Sequence, residues 1–311
     1  DLPVETAVNA AYQGLTAGTF ALMQANAFWA RFWPALAGAS LALVPLFWRR
    51  RLSPFLTLGL ALALALDPVL FILSRQAGSA IFVLAGLVWA LSFFIAGKPV
   101  GVGVALAVAL LGGPWAWAVL LLLLIALGIA YLINKAALNE FASALLNVCP
   151  LRKSPAKFAL SFVLTLLLLS TSFGLDPAGI SGIAGGLSAF LQEGFSTSQF
   201  PAWTPIYRWA AYSMCPLILS VIATVHAWMD GAKAKRALSL LTMVLLLGAV
   251  LFANLGTGGL AFVQLPIWIL ALSEIEQLVK SASDQPRVSL YVFIFSLVLC
   301  VYLAISLKSF L

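Results

Sequence analysis

Asp67 and Arg75 are the charged residues with the most specific placement, because they bracket a short apolar run that opens with Pro68. Proline lacks a backbone N–H and fits the first turn of a helix, so a helix breaks or restarts between Asp67 and Pro68. Asp67 can then cap a short helix that carries Arg75, and this cap is sufficient to explain the acid. The guanidinium fork of Arg75 suits the oxygens of a phosphate group.

Other residue types exclude several classes of chemistry. The single histidine, His226, has no second His or Cys at metal-ligand spacing, so we predict no metal site and favour a packed, hydrogen-bonded histidine. The chain contains no P-loop and no dinucleotide-binding fingerprint. Its 3 cysteines show no pairing pattern and are expected to act as small apolar residues.

A lipid bilayer must position these residues. The chain is 63% hydrophobic and 9% charged, with a mean hydropathy of +1.08, which excludes a soluble globular protein. A helical crossing needs about 20 apolar residues. We therefore predict an all-α, polytopic transmembrane bundle with about ten spans, forming a single integral membrane domain over residues 1–311. The predicted spans are 31–48, 54–73, 77–96, 99–112, 115–134, 156–173, 209–229, 237–255, 260–278 and 288–307.

The basic residues predict an orientation for these spans. With strict alternation, 13 of the 17 Lys and Arg residues fall on one side, which the positive-inside rule makes cytoplasmic. Residues 1–30 then form an external N-terminal segment, and both visible termini are external to a cytoplasmic (inner) membrane. The start at Asp1 predicts a preceding crossing or signal segment. Orientation accounts for the net charge of +7, so nucleic acid is not an expected partner.

Two connections are long enough to contain structure of their own. The cytoplasmic segment 136–156 has apolar residues at helical spacing, which fits either an interfacial amphipathic helix or a core-facing one. In the external segment 174–208 we predict a surface helix over 180–195, followed by an extended, proline-bounded loop. Trp203 in that loop fits either an aromatic anchor at the bilayer interface or a stacking surface for a lipid-linked sugar.

Several short motifs occur in a fixed order between residues 30 and 76. They read Ala30-Arg31-Phe32-Trp33-Pro34-Ala35-Leu36-Ala37-Gly38, Pro45-Leu46-Phe47-Trp48-Arg49-Arg50-Arg51-Leu52, Leu64-Ala65-Leu66-Asp67-Pro68 and Ser74-Arg75-Gln76. This order resembles the GT-C superfamily of membrane glycosyltransferases, specifically the protein-mannosyltransferase and aminoarabinose-transferase type with its flippase-associated relatives. Beyond residue 100 only the hydropathy agrees.

The resemblance implies a transferase that uses a polyprenyl-phosphate-linked sugar at an external active site. Family members carry an acidic pair in the first external loop, where one acid activates the acceptor or positions a metal. Glu5 matches the second acid of that pair, with Asp1 nearby, although Val4 stands where the first acid is expected. A divalent cation is compatible with such acids, but the sequence leaves the cofactor unknown.

The outer arginine of the family, which binds lipid phosphate, corresponds to Arg75. We expect Asp67 to orient the turn that holds it, and Arg208 with Trp203 to contact donor or acceptor. The expected partners are therefore membrane lipid and a lipid-linked sugar.

Two other functions stay open at this stage. The chain lacks the Lys/His-Pro-Pro element of the family and a large C-terminal external domain, which fits a non-catalytic structural or assembly subunit of a larger membrane complex. A transporter is the third hypothesis, and it predicts broken helices in both halves of the chain. Only the Asp67–Pro68 break is visible, and no acid is convincingly placed in the middle of a span.

Overall fold

A computed structural model of the 311-residue chain describes residues 9–76, 78, 80–133, 135, 154–175, 180–196, 203–230, 233–255 and 258–282. In this part of the chain, all regular structure is helical. The α-helices are α1 (Ala10–Met23), α2 (Ala27–Leu41), α3 (Val44–Trp48), α4 (Pro54–Leu66), α5 (Pro68–Arg75), α6 (Ala80–Ile95), α7 (Pro99–Leu110), α8 (Pro114–Ile133), α9 (Pro155–Ser170), α10 (Ser181–Gly194), α11 (Trp203–Asp230), α12 (Lys233–Leu251) and α13 (Gly259–Ala282).

Several of these helices are long and apolar enough to cross a membrane. Four meet that length, namely Ala27–Trp48, Pro114–Ile133, Ala234–Leu251 and Gly259–Lys280, and the bent pair α4–α5 makes a fifth. The prediction of an all-α fold with several apolar helices of membrane-spanning length is thus confirmed for the described residues. The first nine predicted stretches coincide with helices, whereas 288–307 lies outside the described residues, so the count of ten spans stays a prediction.

Proline and glycine set many of the helix boundaries. The helices α4, α5, α7, α8 and α9 each begin with a proline, whose missing N–H is not needed in the first turn. Gly97 and Gly113, which precede α7 and α8, have φ angles of 71° and 96°, which a residue with a Cβ rarely adopts. These boundaries are therefore encoded locally.

Helix α13 lies at the centre of the bundle. It packs against α4, α5, α6, α11 and α12, and 78% of its membrane-length window is buried. A helix that is apolar on all sides is stable only when other helices surround it. The outer helices instead expose large apolar side chains such as Leu124 and Leu160, at 66% and 70%, which suits contact with lipid.

Small residues allow close packing of α6, α7 and α9. A Cβ on Gly86 of α6 would lie 2.7 Å from the Ala105 oxygen and the Ala109 nitrogen of α7. A Cβ on Gly103 of α7 would lie 2.7 Å from the Phe158 oxygen of α9. The backbones of these three helices can therefore approach one another only where side chains are absent.

The N-terminal segment contains a helix that the sequence did not predict. Within residues 1–30, α1 covers Ala10–Met23 and packs against α2 and α9. The Ala11 N–H donates to the Leu111 oxygen at 3.0 Å, and the Tyr12 hydroxyl donates to the Ala30 oxygen at 3.2 Å. The many Ala and Gly residues of α1 gave little amphipathic signal, and tertiary contacts stabilise the helix.

The predicted surface helix over 180–195 is confirmed as α10, which packs against α8. It buries Phe190 and leaves Leu187 and Leu191 exposed. The segment 136–156 lies outside the described residues except for its last three, so both interpretations of it stay open.

The two ends of the bundle differ in composition. The α1 end contains α1, α10 and residues 253–255, which follow α12. Trp115 of α8 donates a hydrogen bond to the Leu255 oxygen, and Asn254 donates one to the Ser196 oxygen just after α10. The opposite end, called the basic end here, contains Arg49–Arg51 and the pair Glu276–Lys280. The charge asymmetry of the sequence is thus also an asymmetry of the folded bundle.

Candidate functional site

The break between α4 and α5 is centred on Asp67. The two helices bend by 48°, and Pro68 is the first residue of α5. The Asp67 Oδ1 atom accepts a hydrogen bond from the Leu70 N–H at 2.9 Å, as an N-cap residue does. The prediction that Asp67 caps a short helix carrying Arg75 is therefore confirmed.

Asp67 also joins this break to the central helix. The indole N–H of Trp268 in α13 donates to the Asp67 Oδ2 atom at 2.7 Å, and each residue is only 1% exposed. Within the described residues, no Lys, Arg or His pairs with this carboxylate. The sequence did not identify Trp268, although a Trp far from both ends of an apolar helix needs a partner for its N–H and could have signalled it.

Arg75 ends α5 at the α1 end of the bundle and is exposed. Its guanidinium carbon lies 5.3 Å from the centre of the Phe71 ring, and it forms no ion pair with the residues that the structure describes. The neighbouring Ser74 packs against Gly38 of α2. The backbone of α5 is thus held at both ends, while the guanidinium remains open to an anion.

The proposed acids Asp1 and Glu5 lie outside the described residues. The chain that follows them begins α1 at Ala10, at the same end of the bundle as Arg75. There the Tyr12 ring lies 6.4 Å from the ring of Phe82, near the start of α6. The chain therefore enters the described structure close to the turn that follows α5.

Trp203 and Arg208 lie in the first two turns of α11, and their backbone alone is described. The prediction of an extended loop was wrong at these positions. Pro205 does not prevent helix formation there, because N–H groups in the first turn of a helix have no intrahelical partner. Helix α11 packs against α5, which brings the helices of Arg208 and Arg75 together.

A second helix break occurs in α11. Ser213 has the non-helical angles φ −130° and ψ 27°, and Pro216 removes an N–H one turn later. The side-chain amide of Gln264 in α13 donates to the Ser213 hydroxyl oxygen at 2.5 Å. The sequence prediction of one visible break was therefore incomplete.

Gln264 has an unusual environment. It is 0% exposed, and its Oε1 atom has no hydrogen-bond partner among the residues that the structure describes. It precedes Trp268 by one helical turn, so α13 contacts both breaks from neighbouring positions. A buried carbonyl oxygen without a partner is costly in a membrane protein.

A pair formed by a buried acid and a half-exposed histidine lies toward the basic end, away from Arg75. The Nδ1 atom of His226 lies 2.6 Å from the Oε1 atom of Glu274, with the two side chains 47% and 2% exposed. The prediction of a hydrogen-bonded histidine is confirmed, but its ring is half-exposed rather than packed. Glu274 is also a buried acid within a span, which corrects the expectation that none is convincingly placed there.

No metal-binding cluster is present in the described part of the chain, where no group of three or more His, Cys, Asp or Glu residues could hold an ion. No family model, curated protein or solved structure matches the chain significantly. The likeness to GT-C enzymes therefore depends on the motifs at residues 30–76.

Proposed function

We propose that the protein is a GT-C-like membrane glycosyltransferase that uses a polyprenyl-phosphate-linked sugar at the outer face of the cytoplasmic membrane. In this proposal the α1 end faces outward, and both visible termini are external. Its partners are membrane lipid and the lipid-linked sugar, and its bundle has about ten spans.

The observation that carries the proposal is the environment of Arg75. The residue lies at the end of a short helix whose start is held by Asp67 and Trp268, yet its guanidinium has no acidic partner in the described structure. Arginine in an ion pair would already be neutralised. An open guanidinium at a wet bundle end is suited to the phosphate of a lipid donor.

The chemistry requires a base and a group that stabilises the leaving phosphate. Glu5, with Asp1 second, is proposed to accept the proton of the acceptor hydroxyl while its oxygen attacks the anomeric carbon of the sugar. The bond from that carbon to the phosphate oxygen breaks, and the polyprenyl phosphate leaves. Arg75 stabilises the charge that develops on this phosphate, and Arg208 and Trp203 are proposed to contact donor or acceptor.

The test is transfer or hydrolysis of radiolabelled polyprenyl-phosphate sugars by the purified full-length protein in lipid nanodiscs. We expect Glu5→Gln to lower the rate about 10²–10⁴-fold because the base is lost. Arg75→Gln should lower it about 10²–10³-fold, with partial recovery in Arg75→Lys, which restores charge without the fork.

Arg31→Gln is the matched control, because Arg31 is also an exposed arginine near the α1 end, in α2. It should retain wild-type activity. If neither the wild type nor Glu5→Gln shows transfer or hydrolysis with any donor, the catalytic proposal is contradicted. That result would favour a non-catalytic subunit of a larger complex.

A transporter is a second candidate because helix breaks occur in both halves of the chain, at Asp67 and Ser213. Discontinuous helices that meet inside a bundle are typical of transporter binding sites. Uptake of a labelled solute into proteoliposomes, absent in empty vesicles, would favour this candidate over the transferase.

A further inference from the structure

Aromatic rings join α3, α6 and α7 near the basic end. The ring centre of Phe47 in α3 lies 4.9 Å from that of Trp89 and 6.0 Å from that of Phe93, both in α6. The rings of Trp89 and Phe93 are stacked, with their centres 5.3 Å apart. A Cβ on Gly101 of α7 would lie 2.6 Å from the Phe93 ring, so this ring lies against the backbone of α7. The three rings, called the aromatic ridge here, thus form one continuous contact.

The aromatic ridge is flanked by exposed apolar side chains. Phe47 itself is 41% exposed, and its neighbour Leu46 is 47% exposed. On α7, Val100 beside Gly101 is 48% exposed. Exposed apolar side chains grouped in this way mark a surface that contacts a membrane or another apolar partner.

Two groups of cations flank the aromatic ridge. Arg49–Arg51 follow α3 directly and begin two residues after Phe47, and all three are exposed. The backbone N–H of Lys98 donates to the Phe93 oxygen at 2.9 Å, and Lys98 is also exposed. Because the Phe47 and Phe93 rings are in contact, the chain carries cations beside both sides of that contact.

These cations form neither of the two ion pairs that occur in the described part of the chain. The acid Glu276 lies near Ser53, the residue that caps α4, but it pairs with Lys280 at 2.7 Å. Arg49–Arg51 and Lys98, called the cationic rim here, therefore have no acidic partner among the described residues. Their charge is available to an anion that approaches from outside the bundle.

We propose that the aromatic ridge and the cationic rim together bind one anionic phospholipid. The phosphate headgroup contacts the rim through charge-assisted hydrogen bonds, and an acyl chain lies along the ridge. A zwitterionic lipid offers the same acyl chain, but its headgroup also carries a cation that the rim repels. The inference does not depend on the proposed transferase activity, whose site lies at the α1 end.

Quenching of tryptophan fluorescence by brominated acyl chains tests the inference in the purified full-length protein. The protein is placed in mixed bilayers of phosphatidylglycerol and phosphatidylcholine, with one or the other lipid brominated. Each basic residue near the headgroups favours an anionic lipid about fivefold, so we expect a preference for phosphatidylglycerol of roughly tenfold or more. The chain has 10 tryptophans, and Trp89→Phe should remove the component of the quenching that shows this preference.

The cationic rim can be changed without touching the aromatic ridge. The triple variant Arg49→Gln, Arg50→Gln and Arg51→Gln should lower the preference for phosphatidylglycerol to nearly one. Lys98→Gln should lower it about fivefold and provides the test if the triple variant does not fold. Arg31→Gln is the matched control, because it removes an exposed cation near the α1 end, and it should retain the wild-type preference.

Equal quenching of the wild type by the two brominated lipids would overturn the inference. Retention of the full preference in both the triple variant and Lys98→Gln would overturn it as well, and so would an equal loss in Arg31→Gln. Inorganic phosphate added at constant ionic strength should leave the lipid in place. Displacement of the lipid by inorganic phosphate would assign the rim to free anions and contradict the proposal.

Discussion

Two regions of the bundle use opposite means to bring helices together. In the glycine-packed region, formed by α6, α7 and α9, continuous helices approach closely at Gly86 and Gly103. In the broken-helix region, formed by α5, α11 and α13, buried side-chain hydrogen bonds join the helices. A continuous helix satisfies its own backbone and needs only close packing, whereas a broken helix exposes polar groups that other side chains must satisfy.

The difference also indicates which region contributes mainly to stability and which region contains groups that could carry out chemistry. Small residues at helix contacts are explained by packing, and they add no chemical groups. The broken-helix region contains an acid, an amide and a hydroxyl in an apolar interior, together with an exposed arginine one short helix away. Polar groups within a membrane domain are costly, so such a region is the better candidate for chemistry.

Overpacking the glycine-packed region should have the largest effect on stability. Gly86→Leu places a side chain against the backbone atoms of Ala105 and Ala109, which cannot move without separating α6 from α7. We expect a loss of about 3 kcal/mol or more in the free energy of unfolding. Denaturant titration of the protein in detergent micelles measures this loss.

Gly128→Leu is the control for that variant, because a Cβ on Gly128 would meet nothing within 4 Å. This exposed position in α8 should accept the change with no loss, or with a gain of about 0.5–1 kcal/mol from helix propensity. Equal destabilisation by both variants would show that close packing does not distinguish this region.

Removing the acid of the broken-helix region should have the next largest effect. Asp67→Ala eliminates the cap of α5 and leaves the buried Trp268 N–H without its acceptor, which should cost about 3 kcal/mol. Ser53→Ala, which removes the N-cap side chain of α4, should cost about 1 kcal/mol. Equal losses in the two variants would mean that the Trp268 contact contributes nothing beyond the cap.

A double-mutant cycle between Asp67→Ala and Trp268→Phe measures the contribution of the Asp67–Trp268 hydrogen bond separately from that of the helix cap. Because the two side chains share a buried hydrogen bond, we expect a coupling energy of about 1–3 kcal/mol. The corresponding cycle between Ser53→Ala and Trp268→Phe should be additive within about 0.5 kcal/mol. The midpoints of thermal unfolding of the four proteins in each cycle provide the comparison.

The surface ion pair between Lys280 and Glu276 at the basic end should contribute least to the free energy of unfolding. Lys280 lies 2.7 Å from the Glu276 carboxylate, but its side chain is 73% exposed. Lys280→Met, which keeps the apolar stem, should change stability by less than about 0.5 kcal/mol in denaturant titration, and added salt should reduce even this difference. A loss of several kcal/mol would show that exposed charge contributes as much as the buried contacts.

The sequence by itself determined most of the described helical segments, the break at Asp67 and the charge asymmetry of the bundle. Local chemistry encodes these features, because apolar runs define the spans and Pro68 prevents a continuous helix. The motif order at residues 30–76 also led directly to Arg75 and Asp67. Neither residue required knowledge of a contact distant in sequence.

The tertiary structure alone decided which distant groups meet. Trp268 lies 201 residues from Asp67, and Gln264 lies 51 residues from Ser213. Helix periodicity places a residue on a face of its own helix but does not identify the neighbouring helix, because all the helices are similarly apolar. Helix α1 escaped prediction for a related reason, since its stability comes from packing against α2 and α9 and not from a strong pattern of its own.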